Sequence, residues 1–243
     1  EEEIRHLDRL AVLGRFTSSV AHEIRNPLTG IAAGIQYLNR SNDLSDDQRE
    51  NISFILNEVD RLNRIITDLF KIAKPRHLLY QKVDIRELVE RGYKSNQEIF
   101  NAKGISFDTA FEDDLPMIEV DHDQILQVAI NLMKNSAEAV GEEGKVIVRA
   151  GVYKGGDQEV IRERDHELVC LEFSDDGPGI DPSDRQRVFE PFFSRKKGGT
   201  GLGLFVTHSI IQHHQGKVTL LSEDGNGTTF RVYLPISMPR KGG

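Results

Sequence analysis

A seven-residue spacing runs through the start of the chain and commits it to a long helix. Leu10, Thr17, Ile24, Ile31 and Leu38 share one position of the repeat, and Leu13, Val20, Pro27 and Gly34 share the other seam position. Read as one helix over residues 4–40, the segment extends about 55 Å, with Pro27 bending it locally. Ser41-Asn42-Asp43-Leu44 makes a short polar loop, and Ser45-Asp46-Asp47-Gln48 is a capping box that opens a second helix. That helix carries Ile52, Ile55, Val59, Leu62, Ile66, Leu69 and Ala73 in steps of three and four. A hairpin of two such helices leaves apolar surface on both members. A second copy would bury it in a homodimeric four-helix bundle; the alternative is that the stripe packs on the rest of the chain.

At Lys74-Pro75-Arg76 the pattern changes. Residues 85–100 and 121–140 read as helices, and 105–111 and 117–120 as strands. Residues 145–153 and 168–174 pair naturally as strands, with an exposed hairpin tip between them at 155–157 and 162–166. A helix over 204–215 precedes a closing hairpin, 217–221 with 228–234, around Asp224-Gly225-Asn226-Gly227. Strands and helices intermixed without regular alternation predict an α+β sandwich with its helices on one face. The expected division is a helical hairpin at 1–74, a hinge at 75–81, the α+β domain at 82–239 and a tail at 240–243.

A net charge of −8 argues against a nucleic-acid surface. Cys170 is the one cysteine, so no intrachain disulfide forms, and its apolar neighbours predict a core thiol. No run of 18 apolar residues and no signal peptide is visible, so no membrane contact by these residues is expected and the location is read as cytoplasmic. The chain begins Glu-Glu-Glu without Met, which suggests a fragment of a longer protein that could itself be anchored.

Three features carry chemistry. His22 lies in Ala21-His22-Glu23-Ile24-Arg25-Asn26-Pro27, on the polar side of the first helix with Arg15, Thr29 and Gln36. It is either an imidazole kept free to react or an ordinary surface histidine. Zinc is disfavoured, because Asn26 stands where a His-Glu-x-x-His site needs its second imidazole. The helix from residue 121 has an apolar face of Ile125, Val128, Ala129, Leu132 and Val140. Its other face carries Gln127, Asn131, Asn135 and Glu138. Amide oxygens one turn apart can serve a hard cation such as Mg²⁺, or be plain surface groups. Finally, Asp175-Asp176-Gly177-Pro178-Gly179 follows directly on a strand, and Gly198-Gly199-Thr200-Gly201-Leu202-Gly203 opens a helix behind Lys196 and Lys197. Such glycines let backbone N–H groups approach phosphates where the helix dipole favours negative charge. Neither a Rossmann fingerprint nor a P-loop is present.

In this order the motifs resemble the cytoplasmic core of two-component sensor histidine kinases, over nearly the whole chain. Residues 21–27 resemble the H box and Asn131-Leu132-Met133-Lys134-Asn135 the N box. Residues 175–179 are similar to the G1 box, 189–193 to the F box, 199–203 to the G2 box, and 225–228 to the last glycine motif. Asp176 departs from a frequent Asn. The resemblance implies a dimerisation and phosphotransfer domain joined to a Bergerat-fold ATP-binding domain. It implies phosphorylation of His22 with Glu23 as its base, and transfer to an aspartate of a response regulator receiver domain. It implies that Asn135 coordinates Mg²⁺, that Asn131 supports metal and phosphates, and that Asp175 bonds the adenine amino group with Gly177, Gly179 and Thr228 around the base. Lys196, Lys197, Gly199, Thr200, Gly201, Leu202 and Gly203 then line the phosphates of ATP. Asn26, in Glu-x-x-Asn after the histidine, resembles the family's phosphatase pattern; otherwise it caps a helix break before Pro27. Residues 185–201 are expected to form a lid that is mobile without ATP and pinned by Phe189, Phe192 and Phe193 when the nucleotide is bound. The alternative is an ATPase clamp of the gyrase and chaperone kind, which carries a glutamate where this chain has Asn131.

Overall fold

The computed structural model describes residues 24–40, 44–73, 78–153, 167–196, 199–222 and 225–237. The chain divides into two compact units, residues 1–77 with 190–206, and residues 78–189 with 207–243.

In the first unit, residues 24–38 are helical (α1), Pro27 included, and α2 spans Asp46–Ala73. The capping box forms as the sequence predicts: the Ser45 N–H donates to Gln48 Oε1 at 2.8 Å and the Gln48 N–H to Ser45 Oγ at 3.3 Å. Leu28, Val59 and Ile66 make the hairpin's core, with Ala32 packed against it, and Ile52 is buried as well. Arg25 Nη2 donates across the hairpin to Thr67 Oγ1 at 3.3 Å. The seam differs from the heptad reading, because Pro27 and Gly34 are exposed and Leu28 takes the inward place. Ile24, Ile31 and Leu38 point out, 43%, 48% and 60% exposed, as do Ile55 and Leu62 on α2. One partner helix can cover only one stripe, and the heptad line is the stripe it leaves.

The second unit is built on a five-stranded sheet in the order β2 (Ser106–Phe111), β4 (Lys145–Tyr153), β5 (Leu168–Asp175), β7 (Thr228–Pro235), β6 (Lys217–Ser222). The β2–β4 pair is parallel and the other pairs are antiparallel. A two-stranded sheet pairs β1 (Tyr80–Val83) with β3 (Ile118–Asp121). The sequence reading misses β1 and puts Tyr80 and Gln81 in the hinge; here they are hydrogen-bonded strand. Three helices, α3 (Ile85–Lys103), α4 (His122–Ala139) and α5 (Gly203–His213), complete the fold, the last running across the division between units.

Strand alternation sets the core. Val146, Val148 and Ala150 of β4, Val169, Leu171 and Phe173 of β5, and Phe230, Val232 and Leu234 of β7 are buried, as are Ile125, Val128, Ala129 and Leu132 on α4, which packs on β4 and β5. The intervening residues form the sheet's outer face. There Glu172 joins Arg149 (3.1 Å) and Arg231 (2.8 Å) across three strands. Burial pushes the Glu172 carboxyl up, and the two guanidinium groups outweigh it and hold it below the usual range. Cys170 lies in this alternation and is half-buried, not in the core as its neighbours suggested.

Helices α3 and α4 approach closely at Gly92, where an added Cβ would lie 3.1 Å from Ala129 Cβ. Asn96, buried between them, donates to the carbonyls of Gly92 (3.0 Å) and Ile130 (3.2 Å). Asp121 caps the amino end of α4 by accepting the Gln124 N–H at 3.1 Å. At the carboxyl end Lys103 Nζ donates to the carbonyls of Ala137, Glu138 and Val140 at 2.9, 3.3 and 3.0 Å. Among the described residues, no helix is long and apolar enough to cross a membrane.

Candidate functional site

At the carboxyl end of β5, Asp175 is only 9% exposed. Its Oδ1 accepts the Gly177 N–H at 3.1 Å, and the Thr228 N–H also donates to the carboxylate. Burial pushes this carboxyl above the ordinary aspartate range; the Ser136 hydroxyl and these two N–H groups work the other way, and Asp176 adds to the rise. A buried carboxylate held by fixed donors is an oriented acceptor, suited to an exocyclic amino group on an otherwise apolar ring.

The backbone around Asp175 depends on Gly227, whose φ is +83° and whose Cβ, if present, would fall 2.1 Å from the Asp175 carbonyl oxygen. Only glycine lets the start of β7 come this close to the end of β5, and that approach brings Thr228 beside the carboxylate. Ser222 ties the surrounding loops together. Its Oγ accepts the Ile180 N–H (2.8 Å), donates to the Gly227 carbonyl (3.0 Å) and lies 3.2 Å from Thr228 Oγ1. The Gly225 N–H donates to the Pro178 carbonyl at 2.8 Å. Asp176 faces elsewhere: its Oδ1 accepts the Lys145 N–H at 2.8 Å, closing the end of the β4–β5 pair. Its departure from the frequent Asn keeps this backbone contact and acts on Asp175 only through its charge, which adds to the rise.

On α4, Asn131 and Asn135 are half-buried one turn apart, and Ser136, the next residue, is buried beneath them. Asn131 Oδ1 accepts from Gln127 Nε2 at 2.7 Å, which fixes the turn of that amide. No group of three or more His, Cys, Asp or Glu that could hold a metal occurs among the described residues. A hard amide oxygen fits Mg²⁺, which keeps its waters and takes most remaining ligands from phosphate oxygens. It does not fit zinc or a self-sufficient cation cage.

Residues 181–189 form a knitted turn. Asp181 Oδ1 accepts the Ser183 N–H at 2.8 Å, Arg185 Nε donates to the Ile180 carbonyl at 3.1 Å, and Asp184 and Val188 are buried. Phe189 is anchored within its own unit: its ring lies 5.5 Å from His208 and 6.2 Å from Phe230. Phe193 is half-buried, and Phe192 is 58% exposed with φ +65°. In the first unit, Gly201 (φ +66°) lies against the Phe192 backbone, where a Cβ would meet the carbonyl carbon at 2.4 Å. Thr200 Oγ1 accepts the Leu202 N–H at 3.3 Å, Leu202 is buried, and Gly199 and Gly203 are half-buried. Lys196 is exposed, with its N–H on Ser194 Oγ at 3.1 Å.

The structure thus brings Asp175, Gly177 and Thr228 together and sets Asn131 and Asn135 on one face of α4. His22, Glu23 and Lys197 lie outside the described residues. Asn26 is exposed and lies, with Pro27, inside helical residues, so there is no break at Pro27 for it to cap. Sequence reasoning missed Gln127 as the partner of Asn131, and Ser136 and Ser222 altogether. Ser222 stands opposite Thr228 in the β6–β7 register, a pairing that only the fold discloses.

Residues 120–238 match the family model described as histidine kinase-, DNA gyrase B- and HSP90-like ATPase, and residues 12–78 match the His Kinase A (phospho-acceptor) domain. The chain is 32% identical over 241 residues to the sensor histidine kinase ZraS of Escherichia coli (strain K12), covering 99% of this chain and 49% of that protein. It is 32% identical to sporulation kinase E of Bacillus subtilis (strain 168), covering 97% and 30%. It therefore spans about half the length, or less, of these curated relatives. The crystal structure of histidine kinase ThkA in complex with response regulator protein TrrA is 30% identical, with a TM-score of 0.68 over 100% of this chain and 67% of that one. Full-length ShkA in complex with AMPPNP is 26% identical, with a TM-score of 0.72 over 93% of this chain and 46% of that one.

Proposed function

The chain belongs to the histidine kinase family, and from that premise we infer that it is an ATP-dependent protein-histidine kinase. It phosphorylates His22 and passes the phosphoryl group to an aspartate on a response regulator. Residues 1–74 serve as the dimerisation and phosphotransfer domain and 82–239 as the ATP-binding domain. In this reading Asp175 accepts the adenine amino group with Gly177, Gly179 and Thr228 around the base. The glycines at 199, 201 and 203, with Thr200, Leu202, Lys196 and Lys197, take the phosphates, as in the family pattern.

Asn135 would hold Mg²⁺, which when bound neutralises phosphate charge. Asn131, turned by Gln127, supports the same end of the nucleotide. Glu23 receives the imidazole proton, a light task because histidine titrates near neutrality. Phosphoryl transfer asks mainly for positioning and charge neutralisation, and these residues supply both. The outward heptad line of Ile24, Ile31 and Leu38 supports a homodimer. The exposed Asn26, one turn beyond His22 in the sequence, supports a second activity in which its amide orients water for dephosphorylation of the regulator.

The observation that carries the kinase reading over an ATPase clamp is the amide at position 131. Its oxygen is engaged by Gln127 and no carboxylate stands there to activate water, so bound ATP is kept for the imidazole. The test is His22→Gln in the whole chain. ATP binding persists and acid-labile phosphate incorporation stops; continued labelling of the variant would place the acceptor elsewhere.

A further inference from the structure

His214 is fully buried just beyond α5, and none of the chemistry above uses it. Its Nδ1–H donates to the Ile210 carbonyl at 2.8 Å, which leaves Nε2 as an acceptor for the backbone N–H of Asp121 at 3.0 Å. Tyr80 packs edge-on against the imidazole, with ring centroids 5.8 Å apart. Asp121 in turn employs both carboxylate oxygens. Oδ1 accepts the Gln124 N–H in the first turn of α4, and Oδ2 accepts the Leu79 N–H at 3.0 Å. Three stretches of chain therefore meet at one residue: the approach to β1, the start of the helix that bears Asn131 and Asn135, and the residue that follows α5.

Leu79 and Tyr80 lie on the only covalent path from the helical hairpin to α4. We propose that Asp121 and His214 fix that path to the first turn of α4, which makes His214 a positioning residue for phosphoryl transfer to His22 and not for nucleotide binding. The proposal rests on the kinase reading. With the tie made, the nucleotide-binding body begins at Leu79. Without it, Leu79 and the residues beside it join the connection, the tether lengthens, and the effective concentration of bound nucleotide at the acceptor falls while its orientation loosens. The nucleotide pocket is assembled from other residues and keeps its affinity.

Three variants of the whole chain separate this role from plain stability. In His214→Gln, Oε1 reaches the place of Nε2 and can still accept the Asp121 N–H. In His214→Asn the amide stays near the place of Nδ1 and cannot reach Asp121. Leu79→Pro deletes the N–H that Asp121 accepts and also fixes φ, at a side chain 76% exposed whose loss costs little packing. Initial rates of acid-labile phosphate incorporation and the KM for ATP are measured for each. His214→Asn and Leu79→Pro are expected to lower the rate about tenfold with KM within about twofold of wild type, and His214→Gln to restore most of the rate. Nitrogen shifts of His214 in the wild type are expected to report a neutral Nδ1–H imidazole. Wild-type rates in both disrupting variants, KM rising in step with the rate loss, or Gln failing as badly as Asn would overturn the proposal. A wild-type chain that incorporates no phosphate overturns the kinase reading itself, and this proposal with it.

Discussion

Replacing Asp175 by Asn separates what the site needs from what the fold prefers. The carboxylate is buried at the end of β5, with the Gly177 N–H 3.1 Å from Oδ1 and the Thr228 N–H donating beside it. Asn keeps the shape and one acceptor, but presents an amide N–H₂ where the base amino group must donate. Losing a hydrogen bond to a charged acceptor costs about 1.5–3 kcal/mol, so ATP should bind about ten- to a hundredfold more weakly. The unliganded protein should respond differently. Burial raises the Asp175 pKa above its value in the unfolded chain, so its contribution to stability is fully present below the unfolded pKa and lost as pH rises through the folded one. Above that folded pKa the ionised group therefore opposes folding, and Asn removes that penalty while giving up about 0.5–1.5 kcal/mol of hydrogen bonding. The melting temperature of the free variant should stay within about 2–4 °C of wild type. Calorimetric titration with ATP, beside a thermal melt without it, measures both. Unchanged affinity would refute the role given to Asp175, and affinity lost together with the fold would refute the separation.

Asn135→Ala is expected to weaken nucleotide binding in Mg²⁺ and leave binding in excess chelator unchanged; equal losses in both titrations would deny it a metal role. Asn26→Ala should slow decay of the regulator's acyl phosphate while preserving autophosphorylation, and matching decay curves would leave Asn26 without the phosphatase function. Ile31→Glu, on the outward line of α1, should shift the chain from dimer to monomer in sedimentation, whereas Val59→Ala should cost about 2–3 kcal/mol of hairpin stability by leaving a cavity.

The elements with strong periodicity were legible. Helices α3 and α4 and strands β4, β5 and β7 carry buried residues at helical or alternate spacing over most of their length, and their predicted bounds fall within a few residues of those seen. Strand β1 was not, because only Val83 of its four residues is buried and pairing with β3 is a long-range event that local composition does not announce. The heptad line on α1 was visible as a line, but a line does not say whether the chain's own second helix or another molecule covers it. Leu28, off that line, does the packing within the hairpin. The chemically loaded residues, Asp175 and the paired amides, stood out because few carboxylates and amides sit at strand ends and on helix faces in that order. Ser136 and Ser222 are small polar residues of a kind common everywhere, and only the folded surroundings of Asp175 and Gly227 reveal their use. Cys170 misled because an apolar run does not tell which of two sheet faces a residue takes.

Helix α4 is braced at both ends, by the Asp121 carboxylate at its amino end and by the Lys103 ammonium gathering three carbonyls at the other. A rod clamped in this way cannot slide along its axis, and Gly92 sets it hard against α3, so sideways travel is closed as well. Any compliance needed to admit a ligand beside Asp175 is therefore expected outside α4, which stays fixed at both ends.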